Sequence, residues 1–384
     1  MIYQQFNPTT DIVAGRIQTV TSGFFNDGNY SVSQPIFTTS STQTTPFSNP
    51  ITNNINTNVL NGLYYWNVYY NNQVHFSLAY GNLYGNGSPV SDFSTTNIFP
   101  TIATYQTYLN LLLDPSQTAF SFLTGSFNTS TNTSNASAAT GSSIFIINFE
   151  NNLYKNDVNP GQVSFSLTGN NGTFTFIDDS TIINGTSNVY NIISGAISPT
   201  TGLITPYYSS TNTIPYNSYG LFYPNDGIII LNADAINNLL GGMTGIDSNG
   251  NTIQYSSTLY NSISNPQYNF QLYQSCLYNA IVTSAQPMYV VKSELIPTTQ
   301  YYVRVQNSNF NYTNNPTFVS TGNDGTGLTK GTIKIPALRN NPTTYITTVG
   351  LYDNNNELVA VAKLSQPSAK SFDNEYLIKV SLGY

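Results

Sequence analysis

The chain has 384 residues, room for two or three ordinary domains or one elongated β assembly. Only 7% of them are charged, against about 25% in an ordinary globular domain. The net charge is −7 with no clustered basic face to displace counterions from phosphates, so nucleic-acid binding is not expected.

Aromatic residues make up 14% of the chain, 30 of them Tyr, and roughly one residue in seven is Asn. Disordered chains are depleted in aromatic and β-branched residues, so this composition reads as folded. A surface solvated by amides and hydroxyls has little charge repulsion to keep copies apart, which suits a protein that works assembled. An AT-rich genome would also raise Asn, Ile and Tyr. Eight of the ten cations lie from Lys292 onward, leaving the C-terminal quarter near neutral and the rest acidic. Cys276 is the one cysteine, which rules out an internal disulfide framework and a Cys-based zinc site; it reads as a small core residue. Met1-Ile-Tyr-Gln-Gln-Phe6 lacks a basic stretch leading into an apolar run, and no segment approaches roughly 18 uninterrupted apolar residues. Neither a signal peptide nor a transmembrane helix is expected, and synthesis in a cytosol is.

Taken in order, residues 1–58 read as an N-terminal arm and a Ser/Thr/Asn-rich polar loop. Leu60–Tyr70 and Gln73–Tyr80 form a hairpin around Asn71-Asn72, with Val74, Phe76 and Leu78 on one face and His75 and Ser77 on the other. Ile102, Tyr105, Leu109 and Leu112 recur at helical spacing within Pro100–Asp114. Phe120–Leu123 and Ile144–Phe149 read as strands flanking a low-complexity loop or domain joint at 124–143. Val163–Leu167 and Phe174–Ile177 form a second hairpin around Gly169–Gly172. Strands follow at Val189–Ile197 and Gly227–Leu231, then a short helix from an Asn232 N-cap to a Gly241 stop. Residues 243–287 read as irregular. Met288–Leu295 and Tyr301–Val305 read as two strands joined near Pro297.

The last segment is the most explicit. Thr343–Tyr352 and Leu358–Leu364 pair antiparallel across the polar turn Asp353-Asn-Asn-Asn356, and Leu377–Val380 adds a third strand. The expected fold class is mainly β, with antiparallel sheets or sandwich-like modules, long loops and two short helices. The expected division is 1–58, a main body at 59–315 with a possible split near 124–143, and a C-terminal β module at 316–384. No fixed-period repeat is visible.

Chemistry is scarce. His75 is the one histidine, which leaves little for a Ser-His-Asp triad, and it reads as a surface or satisfied strand residue. No nucleophile elbow, phosphate loop, zinc-helix or EF-hand pattern occurs, and the Gly81–Gly87 stretch does not lead into a helix. Asp178-Asp179 is the most concentrated carboxylate pair, but neighbours on a strand point to opposite faces; turn formation is the plainer reading, as it is for Asp226. Tyr64, Tyr65, Trp66, Tyr69 and Tyr70 would stack on sugars if exposed, and would pack a core or interface otherwise. No catalytic, cofactor-binding or metal-binding residue is assigned, no cofactor is expected, and the chain is not expected to be an enzyme.

Val349-Gly-Leu-Tyr-Asp-Asn-Asn-Asn-Glu-Leu-Val-Ala-Val-Ala-Lys-Leu-Ser-Gln-Pro367, with Phe372-Asp-Asn-Glu375 and Leu377-Ile-Lys-Val380, resembles the C-terminus of virion structural proteins from T4-like contractile-tailed phages (myoviruses) of marine bacteria such as cyanobacteria. Gln5–Pro8, Phe76–Gly81, Leu221–Asn232 and Asn309–Pro316 are similar to further pieces of that family. Ser381-Leu-Gly-Tyr384 stands where the family carries a charged ending. The resemblance implies a virion structural protein of the tail, baseplate or neck. Its partners would be other virion proteins and copies of itself, held by β-rich packing and extended arms, with no membrane. Alternatives are a capsid decoration protein, a glycan-binding fibre module, or a carbohydrate-cleaving tail enzyme using Asp178 and Asp179.

Overall fold

The computed structural model describes residues 5–24, 38–39, 65–88, 100–128, 133–134, 137–181, 188–197, 204–206, 213–246, 252–256, 270–284, 286 and 288–383. The chain is mainly β, as its pattern predicts, and divides into two compact units. A central unit spans Val20–Glu294, and a terminal unit combines Met1–Thr19 with Leu295–Tyr384.

The first strand is β1 (Ile12–Gly23), followed by β2 (Thr38–Thr39), β3 (Trp66–Tyr70) and β4 (Gln73–Asn82). Helix α1 (Pro100–Leu112) precedes β5 (Phe120–Asn128), β6 (Thr133–Ser134), β7 (Ser137–Gly141) and β8 (Ser143–Phe149). After the single turn α2 (Asn151–Tyr154) come β9 (Asp157–Gly169), β10 (Gly172–Asp178), β11 (Tyr190–Ile197), β12 (Ile204–Pro206), β13 (Thr213–Asn217), β14 (Gly220–Tyr223) and β15 (Ile228–Asn232). Helix α3 (Ala233–Leu240), β16 (Thr244–Ile246), β17 (Thr252–Gln254) and helix α4 (Phe270–Thr283) complete the central unit up to β18 (Tyr289–Val305). The boundaries between units fall within β1 and within β18. The terminal unit then holds β19 (Thr344–Tyr352), β20 (Leu358–Lys370) and β21 (Tyr376–Gly383).

In the central unit one antiparallel sheet runs from the first part of β18 through β9, β10, β11, β14, β15, β8, β4 and β3 to β2. Its middle strands carry consecutive apolar residues, Ile144-Phe-Ile-Ile147 in β8 and Ile228-Ile-Ile-Leu231 in β15, because both faces are covered. On one face Phe76, Leu78 and Tyr80 of β4, Phe145 and Ile147 of β8, and Ile229 and Leu231 of β15 pack against α3 and α4. On the other, Ala79, Ile144, Ile146, Ile228 and Ile230 meet Tyr105, Tyr108 and Leu109 of α1 and Phe120 and Phe122 of β5. Alternation along each strand sends successive side chains into the two separate cores. Each fully buried Phe or Leu contributes about 1.5–3 kcal/mol relative to exposure.

Both expected hairpins are present. Asn71 and Asn72 sit at φ 47° and 62° between β3 and β4, the left-handed pair that a two-residue turn requires. Between β9 and β10 the turn residues Asn170 and Asn171 reach the C-terminus of α3: the Asn171 N–H donates to Leu240 O at 2.8 Å, and Asn170 Nδ2 to Gly241 O at 3.0 Å. Helix α3 itself carries the expected ends, with Asn232 Oδ1 accepting from the Ala235 N–H and Gly241 left-handed at φ 68°.

Three readings need correction. The 124–143 stretch, expected as a loop, continues β5 to Asn128 and forms β7, which pairs along β5 from Phe120 to Thr124. Within 243–287, expected as irregular, lie the β16–β17 pair and α4, whose Phe270, Tyr273, Leu277, Ala280 and Ile281 are buried at helical spacing. That makes α2 and α4 helices beyond the two expected. Met288–Leu295 and Tyr301–Val305 are one strand, β18: Pro297 falls after the ladder to β9, which ends at Ser293, and before the ladder to β21, which starts at Thr298. A proline there deprives neither ladder of a donor. Most of the expected 1–58 arm and loop lies outside the described residues, but β1 is a long strand within 1–37.

In the terminal unit β21 pairs with β18 over Thr298–Val305, and Asp11, immediately before β1, is tied to β18 by Tyr302 N–H to Asp11 O at 2.7 Å and by the Arg304–Asp11 ion pair at 3.0 Å. The β19–β20 pair forms its own two-stranded sheet. Phe318, Val319, Ile333 and Leu338 make a small separate core, closed by the Val319–Ile333 bridge.

Candidate functional site

The Asp178-Asp179 pair is where a hydrolytic site would have to start. Asp178 closes β10 and is fully buried. It faces a bulge: between the Val290–Val163 and Lys292–Val158 pairs, β18 advances two residues while β9 advances five. The surplus segment contains Asn159-Pro160-Gly161, with Gly161 at φ 80°. A bulge strands backbone donors, and a buried N–H without an acceptor costs about 1–3 kcal/mol. Asp178 supplies the acceptors, taking the Gly161 N–H at 2.7 Å and the Val163 N–H at 3.1 Å, plus the Ser180 hydroxyl. Burial pushes its carboxyl above the usual range despite these bonds.

Asp179 turns the other way. It accepts the Asn191 N–H at 2.7 Å and Asn191 Nδ2 at 2.9 Å, pinning β11, and is itself buried. The two carboxylates therefore serve different strands, as alternation predicts, and neither faces solvent. The turn begins after them, at Ser180-Thr181. Asp226 does lie in a turn, where its carbonyl accepts the Tyr154 hydroxyl at 2.8 Å.

His75 is in the core rather than on the surface. It is fully buried, with the rings of Tyr70 at 5.2 Å and Phe24 at 6.0 Å edge-on to it. Burial pulls its pKa down to about 4, so the imidazole is neutral at pH 7. Cys276 is buried and its thiol is pushed up to about 12, far from a reactive thiolate. Of the aromatic run, Trp66 stacks on Tyr278 at 5.5 Å and Tyr70 is buried, while Tyr65 is exposed; Tyr64 lies outside the described residues. The Gly81–Gly87 loop is folded on itself, Asn82 Oδ1 accepting the Tyr84 and Asn86 N–H groups. Among the described residues no group of three His, Cys, Asp or Glu side chains is placed to hold a metal, and no helix is long and apolar enough to cross a membrane.

His75, Cys276, Asp178 and Asp179 are thus absorbed by the fold. The exposed feature is in the terminal unit. The β19–β20 ribbon leaves Tyr345, Leu358, Val359 and Val361 each more than half exposed. Its turn is as expected: Asp353 Oδ1 accepts the Asn355 and Glu357 N–H groups, and Asn356 is left-handed at φ 64°. No known protein family, characterised protein or solved structure matches the chain.

Lys370, on an alternating strand of the C-terminal segment, gives no sign in the sequence of being buried. Lys363 and Lys379 are exposed, but Lys370 is fully buried. Its ammonium spends its three protons on Asn311 Oδ1 at 2.6 Å, Asn307 O at 2.8 Å and Ser371 O. The Asn-rich loop at 307–311 is thereby bound to the end of β20. Asp324 plays the matching part in the small core's loop, taking Lys334 at 2.8 Å and the Thr321 and Thr326 N–H groups.

Proposed function

We propose that this chain is a non-enzymatic structural protein of a contractile-tailed phage particle, in the tail, baseplate or neck, working through β-rich contacts with neighbouring subunits. One observation carries the reading: a paired β ribbon of nine and thirteen residues exposes apolar side chains on an otherwise charge-poor surface. An isolated two-stranded ribbon is marginal in water, and an exposed apolar patch commonly marks an interaction surface. The resemblance of Val349–Pro367 to phage virion proteins falls on that same ribbon. The burial of His75, Cys276, Asp178 and Asp179 in structural roles supports a scaffold over a hydrolase.

The test is mass spectrometry of purified particles of the virus that encodes the chain. Peptides of this protein at a fixed copy ratio to the major structural proteins support the reading. Their absence from particles, with the protein found only in infected-cell lysate, would overturn it. The glycan-binding alternative is weakened by the burial of Trp66 and Tyr70, which removes two of the rings it needs.

A further inference from the structure

Lys370 is a buried amine whose three acceptors are all uncharged: Asn311 Oδ1 at 2.6 Å, Asn307 O at 2.8 Å and Ser371 O. Among the described residues it makes no ion pair. A buried charge without a counter-ion is costly and shifts toward its neutral form. Burial pulls the pKa of this amine down, against the opposing charge of Glu375. A desolvated, neutral lysine is a nucleophile.

An electrophile stands beside it. Asn311 is buried too, its Oδ1 touches the Lys370 nitrogen, and its Nδ2 donates to Asn307 O at 2.6 Å. Asn307 O therefore accepts from both side-chain nitrogens and holds them next to each other, with the amide carbon of Asn311 bonded to the second. Phe310, just before, sits at φ 59°, a region that bulky residues rarely adopt, and its carbonyl accepts the Thr344 hydroxyl. Strain of this kind persists where the surrounding structure fixes a side chain in one place.

We propose that Lys370 Nζ and Asn311 Cγ join in an intramolecular isopeptide bond. The Nζ–Cγ bond forms and the Cγ–Nδ2 bond breaks. Two protons of the Lys370 ammonium pass to the departing amide nitrogen, which leaves as an ammonium ion, and the third stays on the new amide. Atoms and charge balance with no oxidant and no further reactant. The uncompensated buried charge is released to water. Reactants held in this way reach effective molarities of about 10⁵–10⁸ M, which is what a sluggish amide needs. The bond spans 59 positions and encloses the small Phe318–Ile333 core and the β19–β20 ribbon, in a chain whose single cysteine allows no internal disulfide. Such a closure restricts the unfolded chain as a disulfide does.

Denaturing mass spectrometry of the purified full chain, kept folded at neutral pH, tests this. The wild type should weigh one ammonia less than its sequence. Proteolysis should release a branched peptide joining the segments around Asn311 and Lys370, with no tryptic cleavage after Lys370. Lys370→Met and Asn311→Ala should each keep the full sequence mass. A folded wild type at full mass would overturn the proposal. So would an ammonia deficit carried by linear peptides, the mark of a cyclised asparagine, or one that persists in Lys370→Met. None of these results bears on the structural-protein reading, which is decided by particle composition.

Discussion

Asp178 accepts the Gly161 N–H at 2.7 Å across the β9 bulge, and this contact decides what the most suggestive carboxylate in the sequence is for. Gly161 can hold φ 80° because it has no Cβ; an added Cβ would meet Thr181 Cγ2 at 2.8 Å. The bulge needs a glycine to make it and a carboxylate to satisfy it.

Asp178→Ala leaves the Gly161 and Val163 N–H groups without their acceptor and should cost about 2–4 kcal/mol, read by urea denaturation of the full chain. Asp178→Asn keeps the shape and one acceptor oxygen, and it no longer buries a charge, so it should cost less. Asp226→Asn, at an exposed turn carboxylate, should change stability by no more than about 0.5 kcal/mol.

His75 predicts an acid-side loss of stability. Its folded pKa is depressed to about 4, below the ordinary 6.5 of the unfolded chain, so the unfolded state binds more protons between those values. The contribution of neutral, buried His75 is fully present above about 6.5 and falls as pH drops toward 4. Thermal melts from pH 7.5 to 4.5 should show this decline, and His75→Phe should flatten it. An identical pH slope in the variant would contradict the assignment.

Lys370→Met removes the ammonium while keeping most of the stem's volume. Asn311 Oδ1, Asn307 O and Ser371 O then lose their donor, at about 1–3 kcal/mol. Hydrogen exchange should rise at 307–311, which the lysine binds to β20, and leave the central sheet unchanged.

At the start of α3, Asn232→Ala removes the side-chain acceptor for the Ala235 N–H at 3.1 Å. The expected cost is about 1 kcal/mol, with Asn232→Ser close to neutral.

Much of the fold is legible in the sequence wherever local chemistry decides it. Asn71-Asn72, Asp353–Asn356 and the Asn232–Gly241 caps each specify a backbone state from their own side chains. Helix α4 was harder, because Phe270, Tyr273 and Leu277 are embedded among Tyr, Asn, Ser and Gln with no visible cap. The β9 bulge had a signal, since Asn159-Pro160-Gly161 is turn chemistry inside a strand pattern. Its satisfaction by Asp178, seventeen residues away, is a tertiary fact that no local pattern announces. Lys370 is the same case: a lysine on an alternating strand reads as exposed, and only the 307–311 loop folding over it shows otherwise.

Cryo-electron microscopy of intact particles addresses the central claim most directly. The account predicts density for this chain in repeating copies, with the β19–β20 ribbon of each covered by a neighbouring subunit and Tyr345 buried there. Particles without the chain, or copies whose β19–β20 ribbons stand bare in solvent, would contradict it.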